Sequence, residues 1–184
     1  MNIRKTNIED LLILIPNIII DNRGFFYEDF VIKKLDFFNF YQQNISSSFR
    51  GVIRGMHYQL ENTQAKIISA LNGSIFDVVV DLRKNSPTFG HWFGITLSSI
   101  NNYQLYIPRG FAHGFLSLED NTRVIYKVDN KYNPSVEITI NWNDPSIGII
   151  WPDIKSKLII SKKDQKGISF NDFQKLKNKE NTDC

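Results

Sequence analysis

Three histidines, His57, His91 and His113, bound the acid–base options of this sequence near neutral pH, because imidazole is the side chain that titrates there unperturbed. His57 lies in Arg54-Gly55-Met56-His57-Tyr58. An arginine and a glycine beside a histidine suit a pocket, and equally a satisfied core or surface position. His113 lies in Pro108-Arg109-Gly110-Phe111-Ala112-His113-Gly114-Phe115. Proline and glycine there mark a tight turn entering an aromatic strand, a setting that suits a histidine orienting another group or packing inside. His91, between Gly90 and Trp92, reads as an exposed strand residue.

Several chemistries find no support. A catalytic metal commonly takes three protein ligands, and the sequence has no His-x-His, no His-x-x-x-His and no cysteine cluster. No metal or cofactor is therefore expected, although His57 and His113 can still converge with a carboxylate in space. Ser46, Ser47 and Ser48 are not set in a Gly-x-Ser-x-Gly elbow. Without a Gly-x-Gly-x-x-Gly or P-loop pattern, a bound nucleotide is not held by a phosphate-cradling loop. What remains is acid–base chemistry by His57, a phenol such as Tyr126, and cations such as Lys66, Arg23 and Arg54. Imidazole accepts a proton, a phenol returns one, and a fixed ammonium stabilises an enolate oxygen. These parts suit proton abstraction beside a carbonyl, which on residue types alone is one option among several.

The elements that must position these groups read as strands. With 184 residues, 42% of them apolar and 13% aromatic, the chain can build one ordinary core. A net charge of +3 is too mild to imply nucleic-acid binding. The sole cysteine, Cys184, fits a reducing cytoplasm. Leu11–Ile20 imitates a signal peptide, but Glu9, Asp10 and Pro16 interrupt the pattern. It is also shorter than the ~20 residues that span a bilayer, so it reads as two short buried strands joined at Pro16, with no membrane role. Ile67–Leu71 runs into Asn72-Gly73, a hairpin signal. Ser74–Leu82, Trp92–Ser98, Tyr103–Ile107, Arg123–Lys127 and Glu137–Trp142 follow as strands, while Glu28–Phe38 is weakly helical. The spacing implies an all-β sandwich or barrel, with a single domain over 1–170 and a polar C-terminal tail over 171–184.

The order of motifs carries more. Asp21-Asn22-Arg23-Gly24-Phe25-Phe26-Tyr27-Glu28 is followed by Gln42-Gln43-Asn44-Ile45-Ser46-Ser47-Ser48, by Gly51-Val52-Ile53-Arg54-Gly55-Met56-His57-Tyr58-Gln59 and by Lys66. Then come Asp77-Val78-Val79-Val80-Asp81-Leu82-Arg83, Ser86-Pro87-Thr88-Phe89-Gly90, the His113 motif, Trp142-Asn143-Asp144-Pro145 and Ile150-Trp151-Pro152. In this register, from about Lys5 to Ser169, the chain resembles the dTDP-4-dehydrorhamnose 3,5-epimerase family. The resemblance implies a cupin-like jelly-roll β-sandwich with short peripheral helices, and a homodimer with exchanged N-terminal strands. It also implies a metal-free isomerase acting on a dTDP-linked 4-keto-6-deoxyhexose.

By the same resemblance, His57 is the general base, Asp164 its orienting carboxylate, Lys66 the cation at the C4 oxygen, and Tyr126 the acid on the opposite face. Arg23 and Arg54 match the arginines that hold the diphosphate, to which guanidinium geometry is suited. Phe26, Glu28, Gln42 and Asn44 match positions around the nucleoside, some of them supplied across the dimer. Tyr132 matches a second aromatic of the site, and His113 a position near it. Rival readings are an epimerase of C3 or C5 alone on a related nucleotide sugar, and a non-catalytic sugar-nucleotide-binding jelly roll. A ketoisomerase fits the full set of His57, Lys66, Tyr126 and Asp164 less well.

Overall fold

A computed structural model describes residues 1–35 and 37–179. Along the chain run β1 (Asn2–Lys5), β2 (Leu12–Ile15), β3 (Ile19–Asp21), β4 (Gly24–Phe26), β5 (Gln42–Ser48), β6 (Val52–Gln59) and β7 (Lys66–Asn72). They are followed by β8 (Ser74–Asp81), β9 (Trp92–Ser98), β10 (Gln104–Ile107), β11 (Phe111–Ser117), β12 (Thr122–Val128), β13 (Glu137–Thr139), β14 (Ile159–Ile160) and a closing helix, α1 (Phe170–Lys179). One sheet has the order β1-β2-β10-β7-β12-β5, and the facing sheet β13-β6-β11-β8-β9, with β14 beside β6. Two such sheets with long crossings between them make a jelly roll. Among the described residues no helix is long and apolar enough to cross a membrane.

Three layers of apolar packing explain the strand sequences. Ile13, Ile68, Leu105 and Val124 of the first sheet meet Ile75, Val79, Phe111 and Phe115 of the second. On the far side of the second sheet, Met56, Val78 and Val80 pack under Phe170 and Phe173 of α1. β8 is thus buried on both faces, which is why it reads as a nearly unbroken apolar run. The outer face of the first sheet is covered by Leu35 and Phe38 over Leu14, Ile67 and Tyr106. The start of α1 is fixed by Ser169, which bonds Asp172 reciprocally, and by Asp144, whose carboxylate accepts the Phe170 amide N–H at 2.9 Å.

Three local expectations are corrected. Asn72-Gly73 joins no hairpin, since β7 and β8 belong to different sheets. Gly73, at φ +70°, turns a corner so tight that a Cβ would lie 2.5 Å from Thr122 Oγ1. The strand after Pro16 is not buried: Ile19 and Ile20 are exposed on the β3–β4 hairpin. Among the described residues of Glu28–Phe38 the helical structure is a 3₁₀ turn at Ile32–Lys34. Asp29 draws that segment out across the first sheet, bonding buried Lys127 Nζ at 2.6 Å and Gln104 Nε2 at 2.6 Å.

The feature that shapes the cleft is a bulge between β6 and β11. His57 pairs with His113, and Arg54 with Phe115, so β6 takes three steps where β11 takes two. In a regular strand, residues three apart face opposite sides. The extra residue lets Arg54 and His57 share one face. Gly55 sits there at φ +111°, and a Cβ on it would lie 2.6 Å from the Gly114 Cα. Gly55→Ala is therefore expected to cost about 1–3 kcal/mol or more from backbone conformation alone. Urea unfolding measures this, and a parental midpoint would mean that the close approach is dispensable.

Candidate active site

A cleft of about 390 Å³ opens between the sheets beyond the apolar interior. Strand periodicity fills its walls. Gln42, Asn44 and Ser46 alternate into it from β5, while Gln43, Ile45 and Ser47 face solvent. Tyr126 and Val128 enter from β12, and Lys66 from β7. The opposite wall carries Arg54 and His57 from β6 and His113 from β11. Arg54 is steadied by the Ser48 hydroxyl and the Ser47 carbonyl, both at 3.1 Å.

His57 Nε2 lies 2.7 Å from Asp164 Oδ1. Asp164 opens a 3₁₀ turn, Asp164–Lys166, and its carboxylate is buried behind the imidazole. Burial pushes the Asp164 carboxyl upward, but hydrogen bonds from His57, the Ser161 hydroxyl and the Gly55 amide outweigh it and hold it below the usual range. A permanent carboxylate is thus fixed against a histidine that is still partly open to the cleft. The Tyr126 hydroxyl, on the other sheet, makes no hydrogen bond to a described residue.

Two further clusters complete the cleft. Glu137 accepts hydrogen bonds from the Tyr132 hydroxyl, at 2.9 Å, and from Lys163 Nζ. Burial and the Glu137 carboxylate both push the Tyr132 phenol above its ordinary value. Burial acts to lower the Lys163 ammonium, yet Glu137 leaves it raised on balance. Deeper in, His113 Nε2 meets Asp77 Oδ1 at 2.7 Å, both side chains being buried. Burial lowers the Lys66 ammonium, opposed by the charges of Glu137 and Asp77.

Of the residues singled out from the sequence, His57, Lys66, Tyr126, Gln42, Asn44, Arg54, His113 and Tyr132 line this cleft, and Asp164 backs His57. Arg23, Phe26 and Glu28 do not reach it within one chain. Arg23 bonds Asp21 at 2.6 Å on the exposed β3–β4 turn, Phe26 is 65% exposed, and Glu28 pairs with Lys34. Glu137, Lys163 and Asp77 were not foreseen. A signal existed for Asp77, which shares a strand face with Ile75 and Val79, where a charge has to be explained. Glu137 had none, because its partners lie on separate loops.

The match to known proteins is extensive. Residues 5–172 fit the family model described as dTDP-4-dehydrorhamnose 3,5-epimerase. The chain belongs to this family. It is 44% identical over 183 residues to the dTDP-4-dehydrorhamnose 3,5-epimerase of Escherichia coli, covering 96% of this chain and 98% of that one. It is 46% identical over 179 residues to the enzyme of the same name from Neisseria gonorrhoeae, covering 95% of this chain but spanning only 54% of that longer relative. A Legionella pneumophila 3,5-epimerase, solved in complex with dTDP-4-keto-L-rhamnose, superposes with a TM-score of 0.89 at 43% identity, over 92% of this chain and 93% of that one.

The Tyr132–Glu137 contact gives a family-independent check. Glu137→Gln removes a carboxylate that opposes phenolate formation, so the Tyr132 phenol should titrate lower than in the parent, while burial still holds it up. Ultraviolet difference titration, with Tyr132→Phe as the reference, reads this shift. An unmoved curve would uncouple the two side chains.

Proposed function

We propose that this epimerase-family chain converts dTDP-4-dehydro-6-deoxy-D-glucose to dTDP-4-dehydro-L-rhamnose by inverting C3 and C5, within dTDP-L-rhamnose biosynthesis. The observation that carries this reading is the placement of His57, backed by buried Asp164, and Tyr126 on opposite walls of one cleft that also holds Lys66. Inversion needs that arrangement. A single acid–base group returns the proton to the face it left.

In the proposed reaction, His57 removes the proton beside the C4 ketone. The C–H electron pair moves into the ring and negative charge develops on the C4 oxygen, where the Lys66 ammonium stabilises it. Asp164 stabilises the imidazolium formed and fixes the ring orientation. Tyr126 then delivers a proton to the other face of the same carbon. The proton held by His57 and the one lost by Tyr126 are exchanged with solvent before the second carbon reacts. Arg54, Gln42, Asn44 and Tyr132 are assigned to the nucleoside diphosphate, leaving the sugar between the two walls.

Arg23, Phe26 and Glu28 are assigned to the cleft of a second copy in a homodimer with exchanged N-terminal strands. Ile19, Ile20, Phe25 and Phe26 are all exposed on a hairpin that a single chain leaves uncovered, an arrangement that suits coverage by a partner. The catalytic domain is taken as 1–170; the segment 171–184 is assigned no part in the reaction, although Phe173 of α1 packs into the core. The compartment proposed is the cytoplasm, on the single cysteine, Cys184, which lies outside the described residues.

Proton NMR of dTDP-4-dehydro-6-deoxy-D-glucose in D₂O, with chelator present, tests the reaction. Deuterium at both C3 and C5, with an L-rhamno product after reduction, is expected. Label at one carbon would assign a single-site epimerase, and binding without exchange a silent module. His57→Asn should lower exchange ~10²–10⁴-fold while nucleotide binding persists. Tyr126→Phe should slow completed inversion more than the first exchange, and equal losses in both would remove Tyr126 from the acid role. The dimer is tested by mixing inactive Arg23→Ala and His57→Ala subunits. Shared sites should regain activity in the hybrid, and none regained would confine each site to one chain.

A further inference from the structure

Asp77 is not among the groups assigned to the reaction, yet it is placed at the back of the cleft. It lies on β8 and is fully buried, on the strand face that carries Ile75 and Val79 toward the opposite sheet. Its Oδ1 is bonded to His113. Its Oδ2 is buried without a hydrogen-bond partner among the described residues. A buried carboxylate oxygen without a donor costs stability, and a native structure that keeps one calls for a reason.

The surrounding charges supply that reason. Burial lowers the His113 imidazolium against the pull of Asp77, and the nearby Lys66 and His57 lower it further. A histidine held toward its neutral form donates to Asp77 without supplying a compensating charge. No lysine or arginine is within ion-pair distance of Asp77 among the described residues. The cation that its field reaches is Lys66, whose ammonium has no hydrogen-bond acceptor of its own among those residues. Glu137 also acts on Lys66, and more strongly, but it is already engaged by Tyr132 and Lys163.

We propose that Asp77 is a positioning residue of the epimerisation: held by His113 through one oxygen, its buried carboxylate is the counter-ion that keeps the Lys66 ammonium charged beside the C4 oxygen of the substrate. This role rests on the 3,5-epimerase reading. It assigns the unpartnered oxygen a function, since an oxygen satisfied by a neutral donor would be a weaker counter-ion. The charged and titratable groups that share the cleft with Lys66 are Asp77 on β8, His113 on β11, His57 and Arg54 on β6, Tyr126 on β12, and Glu137, Tyr132 and Lys163 at the rim.

Asp77→Asn keeps the side-chain shape and an oxygen for His113 while deleting the charge. At saturating substrate, its turnover should fall about 10–10²-fold. The alkaline limb of the rate profile should move to lower pH, because a lysine without its counter-ion loses its proton more readily. Binding of dTDP should keep its parental affinity, which also reports folding. In a Lys66→Gln background the same Asp77→Asn change should cost almost nothing further, since the residue it acts through is gone. An unmoved alkaline limb, or an equal loss in both backgrounds, would overturn the proposal. A second readout needs neither turnover nor the Asp77 variant. In Lys66→Gln the His113 ring, followed by NMR, should titrate higher than in the parent, and an unmoved titration would overturn the coupling even if Asp77→Asn fails to fold. If the parent shows no exchange at C3 or C5, the epimerase reading falls, and the ring titration still decides whether Lys66 and the His113–Asp77 pair are coupled.

Discussion

At the crossing of β6 and β11, the backbones of Gly55 and Gly114 approach so closely that neither has room for a side chain. The bulge that this contact permits turns Arg54 and His57 onto one face, and the Gly55 amide then donates to the Asp164 carboxylate. A steric condition in the backbone therefore sets the phase of the strand, the direction of the His57 ring, and part of the hydrogen bonding of Asp164. Both glycine motifs, Arg54-Gly55-Met56-His57 and His113-Gly114-Phe115, find their explanation in this one contact.

Elsewhere the two sheets are divided into an apolar end and a polar end. Where Ile, Val, Leu and Phe meet, the gap is filled. Where Gln42, Asn44, Lys66, His57 and Tyr126 meet, it stays open. Charges at the polar end are bearable because they are held in sets: Asp164 with His57, Glu137 with Tyr132 and Lys163, Asp77 with His113. Of these, the Asp77–His113 set is buried throughout, and loss of the His113 donor would leave a buried carboxylate unsatisfied at a cost of about 1–3 kcal/mol or more.

The sequence made the sheet-rich architecture legible through strand periodicity and turn residues, as in Ser74–Leu82 and Trp92–Ser98. It did not disclose that Asn72-Gly73 is a corner between sheets, because a turn signal states that the chain reverses and not which sheet receives it. Arg54 and His57 were recognisable as chemistry, but their common direction depends on a bulge that strand periodicity contradicts. Asp164 looks like one more solvated residue of a lysine-rich run, and only the family pattern singled it out; its burial arises from the 3₁₀ turn packing behind β6. The Glu28–Phe38 segment failed as a helix because the tie of Asp29 to Lys127 is made across 98 residues and leaves no local trace.

The separation of His57 from Asp164 has a consequence for folding. The two residues are 107 positions apart in the chain yet 2.7 Å apart in space. Closing a loop of that length is entropically costly, and topologies built on distant pairings gain their reward late. No short fragment of the chain contains both members of this pair. The pair is therefore assembled only when segments from both ends of the chain have come together, and its presence marks a completed fold.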